Sequence, residues 1–279
     1  MEKEIEVRMA PELGFTEHSL EDSAKQKEAG NGAEADSFWP DDLESDNRIQ
    51  LMNQGDADYF YKEGINTLRT NIMFCGSHKQ VILFTSTVPN EGKSETSFAV
   101  AKAFAGIDKR VLYIDADIRK SVFVKRQGIR GTRYGLSQYL SGQRELPEVV
   151  YRTDIKNLDV IMAGPYSPNP VELLEEPEFS NLLKRARTYY DYILIDSPPM
   201  GNLIDGAIIA NHCDGAVLVV KSGESSYRLI QKVKEQLLRS ECSILGVALN
   251  RVNITKNGKY YKYYKYGEYG KGSGHAAKK

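Results

Sequence analysis

Six short apolar, β-rich runs recur along this chain: 81–85, 111–114, 158–162, 192–195, 216–220 and 244–249. Helical segments separate them, clearest at 95–105, 178–189 and 226–238, and Gly106 stands where the first of these would be capped. The apolar runs are unbroken rather than alternating, so both faces of each strand are covered. That pattern predicts an α/β fold with a doubly wound, mainly parallel sheet and helices on both faces. Ligands of such sheets bind at the carboxyl ends of the strands. Ahead of the first strand, Tyr61, Ile65, Leu68, Ile72 and Met73 recur at helical spacing and predict an amphipathic helix over 58–74.

The chain has 279 residues and a formal net charge of −1, which excludes a binder of nucleic acid or membrane over its whole surface. The balance is uneven, however. Residues 1–50 carry fourteen Asp and Glu against five Lys and Arg, a net of −9; residues 255–279 carry seven Lys against Glu268, a net of +6. The acidic head has no lasting hydrophobic period, and the tail from Ile254 is built almost wholly of Tyr, Lys and Gly. Neither composition can bury a core, so both are expected to be disordered. The expected organisation is therefore an acidic segment 1–50, a folded domain 51–253 and a flexible tail 254–279. The start alternates charges instead of offering a signal peptide, and no apolar run is long enough to span a bilayer, so a cytoplasmic location is expected. Cys75, Cys213 and Cys242 follow neither a metal nor a redox spacing and are read as small buried residues.

Three polar motifs close three of the predicted strands. The first is Thr87-Val-Pro89-Asn90-Glu91-Gly92-Lys93-Ser94. A phosphate-binding loop needs inward N–H groups, a glycine where backbone meets phosphate, a lysine for the β/γ-phosphates and a hydroxyl for Mg²⁺. Gly92, Lys93 and Ser94 supply the last three, while Thr87 stands where the first glycine of the pattern would be. A bare Gly-Lys-Ser also suits a solvated turn before a helix; the flanking strand and helix favour the phosphate loop. The second motif is Asp115-Ala-Asp117-Ile-Arg119, whose two carboxylates would point the same way if the strand continued. Like charges so close call for a cation between them, although an Asp-rich turn has the same composition. The third is Asp196-Ser-Pro-Pro199, one carboxylate on an abrupt proline exit.

With these residues in view, the region from about Asp58 to Val252 resembles the bacterial tyrosine kinases of capsule and exopolysaccharide synthesis, within the P-loop group that includes division and partition ATPases. That family's pattern is a modified phosphate loop ending Gly-Lys-Ser, a strand ending Asp-x-Asp-x-Arg, a strand ending Asp-Ser-Pro-Pro and a tyrosine-rich tail; all four parts are present. Gly164-Pro-Tyr-Ser-Pro-Asn-Pro-Val-Glu-Leu-Leu174 is similar to the family's segment before the third motif. Val88 stands where partition ATPases carry a lysine.

The resemblance implies an ATP- and Mg²⁺-dependent protein-tyrosine kinase. Thr87, Pro89, Asn90, Glu91, Gly92, Lys93, Ser94 and Glu95 would bind the nucleotide. Ser94, Asp115 and Asp196 would hold the metal, and Asp117 would take the proton from the acceptor hydroxyl. Asn250 sits where relatives contact adenine, though an Asn at a strand end is also a turn former. Autophosphorylation is expected at Tyr260, Tyr261, Tyr263, Tyr264, Tyr266 and Tyr269. The implied partners are a membrane adaptor of polysaccharide chain-length control that activates the kinase, a second copy of the chain in a homo-oligomer or ring, and a cognate phosphatase. No nucleic-acid partner is expected, and membrane association would come through the adaptor.

Three positions depart from the family: Glu95 where relatives have Thr, Ala99 where Asn is frequent, and Asn66 for the middle Arg of Glu63-x-x-Arg-x-x-Arg69, which relatives use in ring assembly. The rival readings are a partition- or division-type ATPase releasing free phosphate and a non-catalytic nucleotide-binding regulator. The aromatic, basic tail alone would also suit stacking on single-stranded nucleic acid or adhesion to an anionic membrane.

Overall fold

The computed structural model describes residues 5–9, 47–52, 58–131 and 133–252. Among them the strands are β1 (Ile5–Met9), β2 (Arg48–Ile49), β3 (Val81–Ser86), β4 (Val111–Asp115), β5 (Val150–Thr153), β6 (Leu158–Ile161), β7 (Tyr192–Asp196), β8 (Gly215–Lys221) and β9 (Ile244–Asn250). They form one sheet in the order β1-β9-β8-β3-β7-β4-β6-β5-β2. The helices are α1 (Tyr59–Phe74), α2 (Lys93–Ala105), α3 (Phe123–Gln127), α4 (Leu136–Leu140), α5 (Leu146–Val149), α6 (Pro170–Glu175), α7 (Pro177–Tyr189), α8 (Asp205–Ala210) and α9 (Tyr227–Arg239). The six expected strands and four expected helices are all present, with ends displaced by a residue or two.

Strand periodicity divides the core into two layers. In β3, Val81 and Leu83 face an apolar layer completed by Leu140 of α4, Leu174 of α6, Leu182 of α7, Ile209 of α8 and Leu237 of α9. Ile82 and Phe84 face the opposite layer, with Leu68 and Ile72 of α1, Phe98 and Phe104 of α2, and Phe123 of α3. Tyr61, Ile65, Leu68 and Ile72 are the buried stripe of α1, whereas Met73, expected with them, is exposed because it lies one position off that face. Burying an aliphatic side chain of this size contributes roughly 1.5–3 kcal/mol, so this stripe holds α1 to the sheet.

The acidic head is not wholly without structure, contrary to the expectation for residues 1–50. Residues 5–9 pair antiparallel with β9, from Ile5 opposite Asn250 to Met9 opposite Gly246. Ile5-Glu-Val-Arg-Met9 does alternate apolar and charged residues, but over five positions only, too few to register as a period against the surrounding acidic sequence. The edge is viable because α1 has a glycine beneath it: a Cβ on Gly64 would lie 2.7 Å from the Ile5 carbonyl oxygen. At the other edge Arg48 and Ile49 pair parallel with β5. The sheet is accordingly mixed at its flanks, with β5 antiparallel to β6 as well, and parallel through its centre, where the motifs lie. The tyrosine cluster at 260–269 lies outside the described residues.

Candidate active site

β3 is buried along its length and ends at the phosphate-loop sequence. Two residues of the loop take positive φ, Asn90 at 68° and Gly92 at 92°. Gly92 admits no side chain, because a Cβ there would fall 1.9 Å from Asn250 Nδ2. From Gly92 the chain enters α2, whose first residue is Lys93. Lys93 is buried, and its ammonium bonds Asp196 Oδ1 at 2.6 Å and Ser94 Oγ at 3.3 Å. The helix start adds first-turn N–H groups and a positive dipole end, the arrangement that holds phosphate.

The carboxylates converge because of sheet order. β4 and β7 are neighbours, with Asp115 directly opposite Asp196. Both are buried to 1% exposure. Asp117 lies just past the end of β4; its N–H donates to Asp115 Oδ1 at 3.2 Å, and its own Oδ1 accepts from Lys120 N at 2.9 Å. The Ser121 hydroxyl donates to Asp115 Oδ2. Burial first, and then the charge of Asp196, push the Asp115 carboxyl up to about 7, against the pull of Ser121 and Lys93. Burial likewise raises Asp117. Behind them Tyr113, wholly buried, is held well above the ordinary phenol range by burial and by the charges of Asp196 and Asp115, and its hydroxyl lies 3.2 Å from Ser97 Oγ.

Three carboxylates therefore share one lysine. Such a deficit of positive charge in a buried site suits a divalent cation. The donors present are carboxylate and hydroxyl oxygens, the hard ligands that Mg²⁺ takes. No three His, Cys, Asp or Glu side chains among the described residues converge as a self-sufficient metal cage. Mg²⁺ does not need one, since it keeps waters and shares substrate phosphates.

Several residues expected to touch nucleotide have other partners. The Glu91 side chain turns inward: Oε2 accepts from Thr87 N at 2.6 Å, Thr87 Oγ1 at 2.9 Å and Val88 N at 2.9 Å, and Oε1 accepts from Lys221 N at 3.3 Å and from the Ser225 hydroxyl. The side chains of Thr87 and Glu91 thus brace the loop from within. Asn250 is spent on the same loop rather than open to adenine. Its Nδ2 donates to Glu91 O at 2.9 Å, its Oδ1 accepts from Arg251 N at 2.8 Å, and the residue is 2% exposed. Glu95 lies toward α1, where after burial its charge is the next contribution raising the buried Tyr61 phenol. Pro89 and Asn90 are exposed at the loop crest.

One pairing was not foreseen. Arg119 Nε bonds Asp205 Oδ1 at 2.8 Å, and Asp205 is wholly buried at the start of α8. It ties the loop carrying Asp117 to the segment following Asp196. Arg119 was visible in its motif, but nothing local marks Asp205, 86 residues away.

A parallel-centred sheet, a phosphate loop running into a helix and carboxylates on two neighbouring strands define a P-loop nucleotide-binding domain. The comparisons agree and go further. A family described as an AAA domain matches residues 80–239. Tyrosine-protein kinase CpsD of Streptococcus pneumoniae serotype 4 (strain ATCC BAA-334 / TIGR4) is 43% identical over 196 residues, covering 70% of this chain and 86% of that protein. The kinase domain of Escherichia coli tyrosine kinase ETK superposes with a TM-score of 0.64 at 29% identity, covering 67% of this chain and 74% of the other. The septum site-determining protein MinD of Pyrococcus horikoshii OT3, solved with Mg-ADP, shares the fold alone, with a TM-score of 0.53 at 22% identity and coverage of 60% and 68%. The chain belongs to the bacterial tyrosine-protein kinases of capsule biosynthesis. It is a protein-tyrosine kinase. No helix among the described residues is long and apolar enough to cross a membrane.

Proposed function

We propose that the kinase uses ATP with Mg²⁺ and phosphorylates its own tyrosines at 260, 261, 263, 264, 266 and 269, and that this regulates capsular or exopolysaccharide synthesis and export. The observation that carries the reading is the shortage of positive charge at the strand ends, where, among the described residues, Lys93 is the one lysine that faces Asp115, Asp117 and Asp196. Lys93 and the N–H groups from Pro89 to Glu95 other than proline's bind the phosphates, and Ser94, Asp115 and Asp196 hold Mg²⁺. When bound, the metal supplies the charge that the carboxylates demand and neutralises the phosphates. Asp117 takes the proton from the acceptor hydroxyl. Burial raises its pKa, which makes it a stronger base than an ordinary carboxylate. Glu91, Thr87 and Asn250 keep the loop in shape, and Arg119 with Asp205 keeps Asp117 in place. Transfer needs alignment and electrostatic stabilisation more than covalent work.

The same reading includes a membrane adaptor that activates the kinase and holds it peripherally at the cytoplasmic membrane face, a homo-oligomer of the chain, and a phosphatase that resets the tail. The kinase activity for which the relative CpsD is named supports the reaction; the Mg-ADP with which MinD was solved supports the cofactor choice through the shared fold. The test is to incubate the purified chain with ATP, with and without Mg²⁺ and a membrane extract, and to map phosphotyrosine by mass spectrometry. Phosphotyrosine confined to 260–269 and dependent on Mg²⁺ is expected. Free phosphate without phosphotyrosine would return the chain to the partition-type ATPase reading.

A further inference from the structure

The loop between β6 and α6 holds an aromatic side chain in solvent beside the catalytic loop. Tyr166 is 70% exposed, yet the backbone on either side of it is pinned. Gly164 has φ of +82°, and a Cβ there would lie 2.6 Å from Ser137 Oγ. Ser137 Oγ donates to Pro165 O at 2.8 Å. On the far side Ser167 N donates to Ile118 O at 3.4 Å, and Asn169 N donates to Ser167 Oγ at 3.2 Å. Pro165, Pro168 and Pro170 fix three more φ angles in seven residues. Ile118 directly follows Asp117, and β6 is the sheet neighbour of β4, so this loop stands next to the loop that carries the proposed base.

A single exposed aromatic on a mobile surface means little. One held on a rigid loop at the rim of a transfer site is different, because it offers a flat face with little conformational entropy left to lose on binding. The acceptor of this enzyme is a tyrosine. In the chain's own tail the candidate acceptors alternate with Lys262 and Lys265. Tyrosine rings and lysine ammonium groups are both attracted to an aromatic face, the first by stacked or edge contacts, the second by the ring quadrupole.

We infer that Tyr166 is an acceptor-docking residue, whose ring receives the tyrosine- and lysine-rich segment and brings its hydroxyl to the Asp117 side of the site. The inference deepens the kinase reading and rests on its assignment of Asp117 to the acceptor side. It gives Tyr166 no part in nucleotide binding, and none in the fold core, since the side chain is mostly in water.

The test uses the full chain and a fluorescein-labelled synthetic peptide of residues 256–271. Peptide Kd is measured by anisotropy, peptide KM by mass spectrometry and nucleotide Kd by titration with ADP–Mg²⁺, for wild type, Tyr166→Ala, Tyr166→Phe and Asp117→Asn. Tyr166→Ala is expected to weaken peptide binding and raise peptide KM by roughly three- to tenfold, with nucleotide Kd and Tm unchanged. Tyr166→Phe is expected to match wild type. An unchanged peptide Kd in Tyr166→Ala overturns the inference, and so does a Tyr166→Phe variant as defective as Tyr166→Ala, which would make the hydroxyl itself the reactive group. Asp117→Asn is expected to lose transfer while still binding peptide; retained transfer would remove the base assignment and leave the binding result at Tyr166 standing.

Discussion

At the end of the sheet where β3 and β8 begin, the Asp214 carboxylate accepts from Gln80 N at 3.0 Å, Val81 N at 2.7 Å, Arg187 Nη1 at 2.7 Å and Arg187 Nη2 at 2.8 Å. At the end where β4 and β7 finish, Asp115 and Asp196 face each other, with Lys93 bonded to Asp196 and Asp117 alongside. The two ends carry similar residue types and opposite energetics. Around Asp214 the like-signed groups are kept apart and the lone pairs are matched to donors, so the charge fastens α7 to two strands. Around Asp115 like charges are crowded and incompletely neutralised, a cost that bound nucleotide and metal would offset. The first arrangement serves stability, and on the proposed reading the second stores electrostatic demand for a ligand.

The comparison breaks most readily at Lys93. Replacing it with Met removes the ammonium bonded to Asp196 and is expected to slow phosphotyrosine formation by about a hundredfold or more, read by quantitative mass spectrometry with circular dichroism as the folding check. A near wild-type rate would mean that this end of the sheet is not the transfer site. At the opposite end, Asp214→Ala leaves the Arg187 guanidinium and two backbone N–H groups without their partner. A loss of about 2–3 kcal/mol is expected, which for a domain of this size lowers Tm by roughly 4–12 °C, with nucleotide Kd unaltered. If instead nucleotide affinity falls and Tm does not, the division of labour between the ends is wrong.

Glu91 tests whether loop shape belongs with the binding end. Glu91→Gln places an NH₂ donor against at least one group that already donates, and is expected to raise the Kd for ADP–Mg²⁺ by about tenfold, or ~1.4 kcal/mol. Unchanged affinity would make the brace dispensable.

The smallest effect concerns pH. Asp115 titrates near 7 in the folded state against 3.8 for the unreacted group, so between those values the native state binds more protons than the unfolded one. Its contribution to stability is therefore present below about pH 4 and is lost as pH rises toward 7. Asp214 has the opposite sign: burial pushes it up, but Arg187 and the N–H groups of Val81 and Gln80 hold it below its ordinary value, so its contribution is present above about pH 4 and lost on acidification. In metal-free protein Asp115→Asn should accordingly raise Tm at pH 8 by a few degrees, on the order of 1 kcal/mol or more, and by less at pH 5, where only part of the loss has set in. A thermal scan at both pH values decides it, and equal shifts would show that Asp115 does not carry this strain.

Much of the candidate site could be read along the chain because its residues close strands: Lys93 and Ser94 after β3, Asp115 and Asp117 after β4, Asp196 after β7. An apolar run followed by a polar motif is a local signal, and in a parallel-centred sheet all such endings collect on one side. The functions of Glu91 and Asn250 were not legible in the same way. Each was noticed as part of a motif or strand end, but Glu91 joins its local bonds to Thr87 and Val88 with bonds to Lys221 and Ser225, 130 or more residues distant, and Asn250 bonds the equally distant Glu91 carbonyl. Asp205 carried no local signal at all.

By itself the sequence determined the alternation of strand and helix, the burial stripe of α1 and the order of the three polar motifs, since each depends on neighbours within one or two turns or on a period of two. Only the tertiary structure decided that β7 lies between β3 and β4, which sets Asp196 opposite Asp115, and that residues 5–9 pair with β9 at the edge of the sheet. Strand order and long-range pairing follow from packing whole layers against one another, a balance summed over dozens of side chains that no short stretch of sequence encodes.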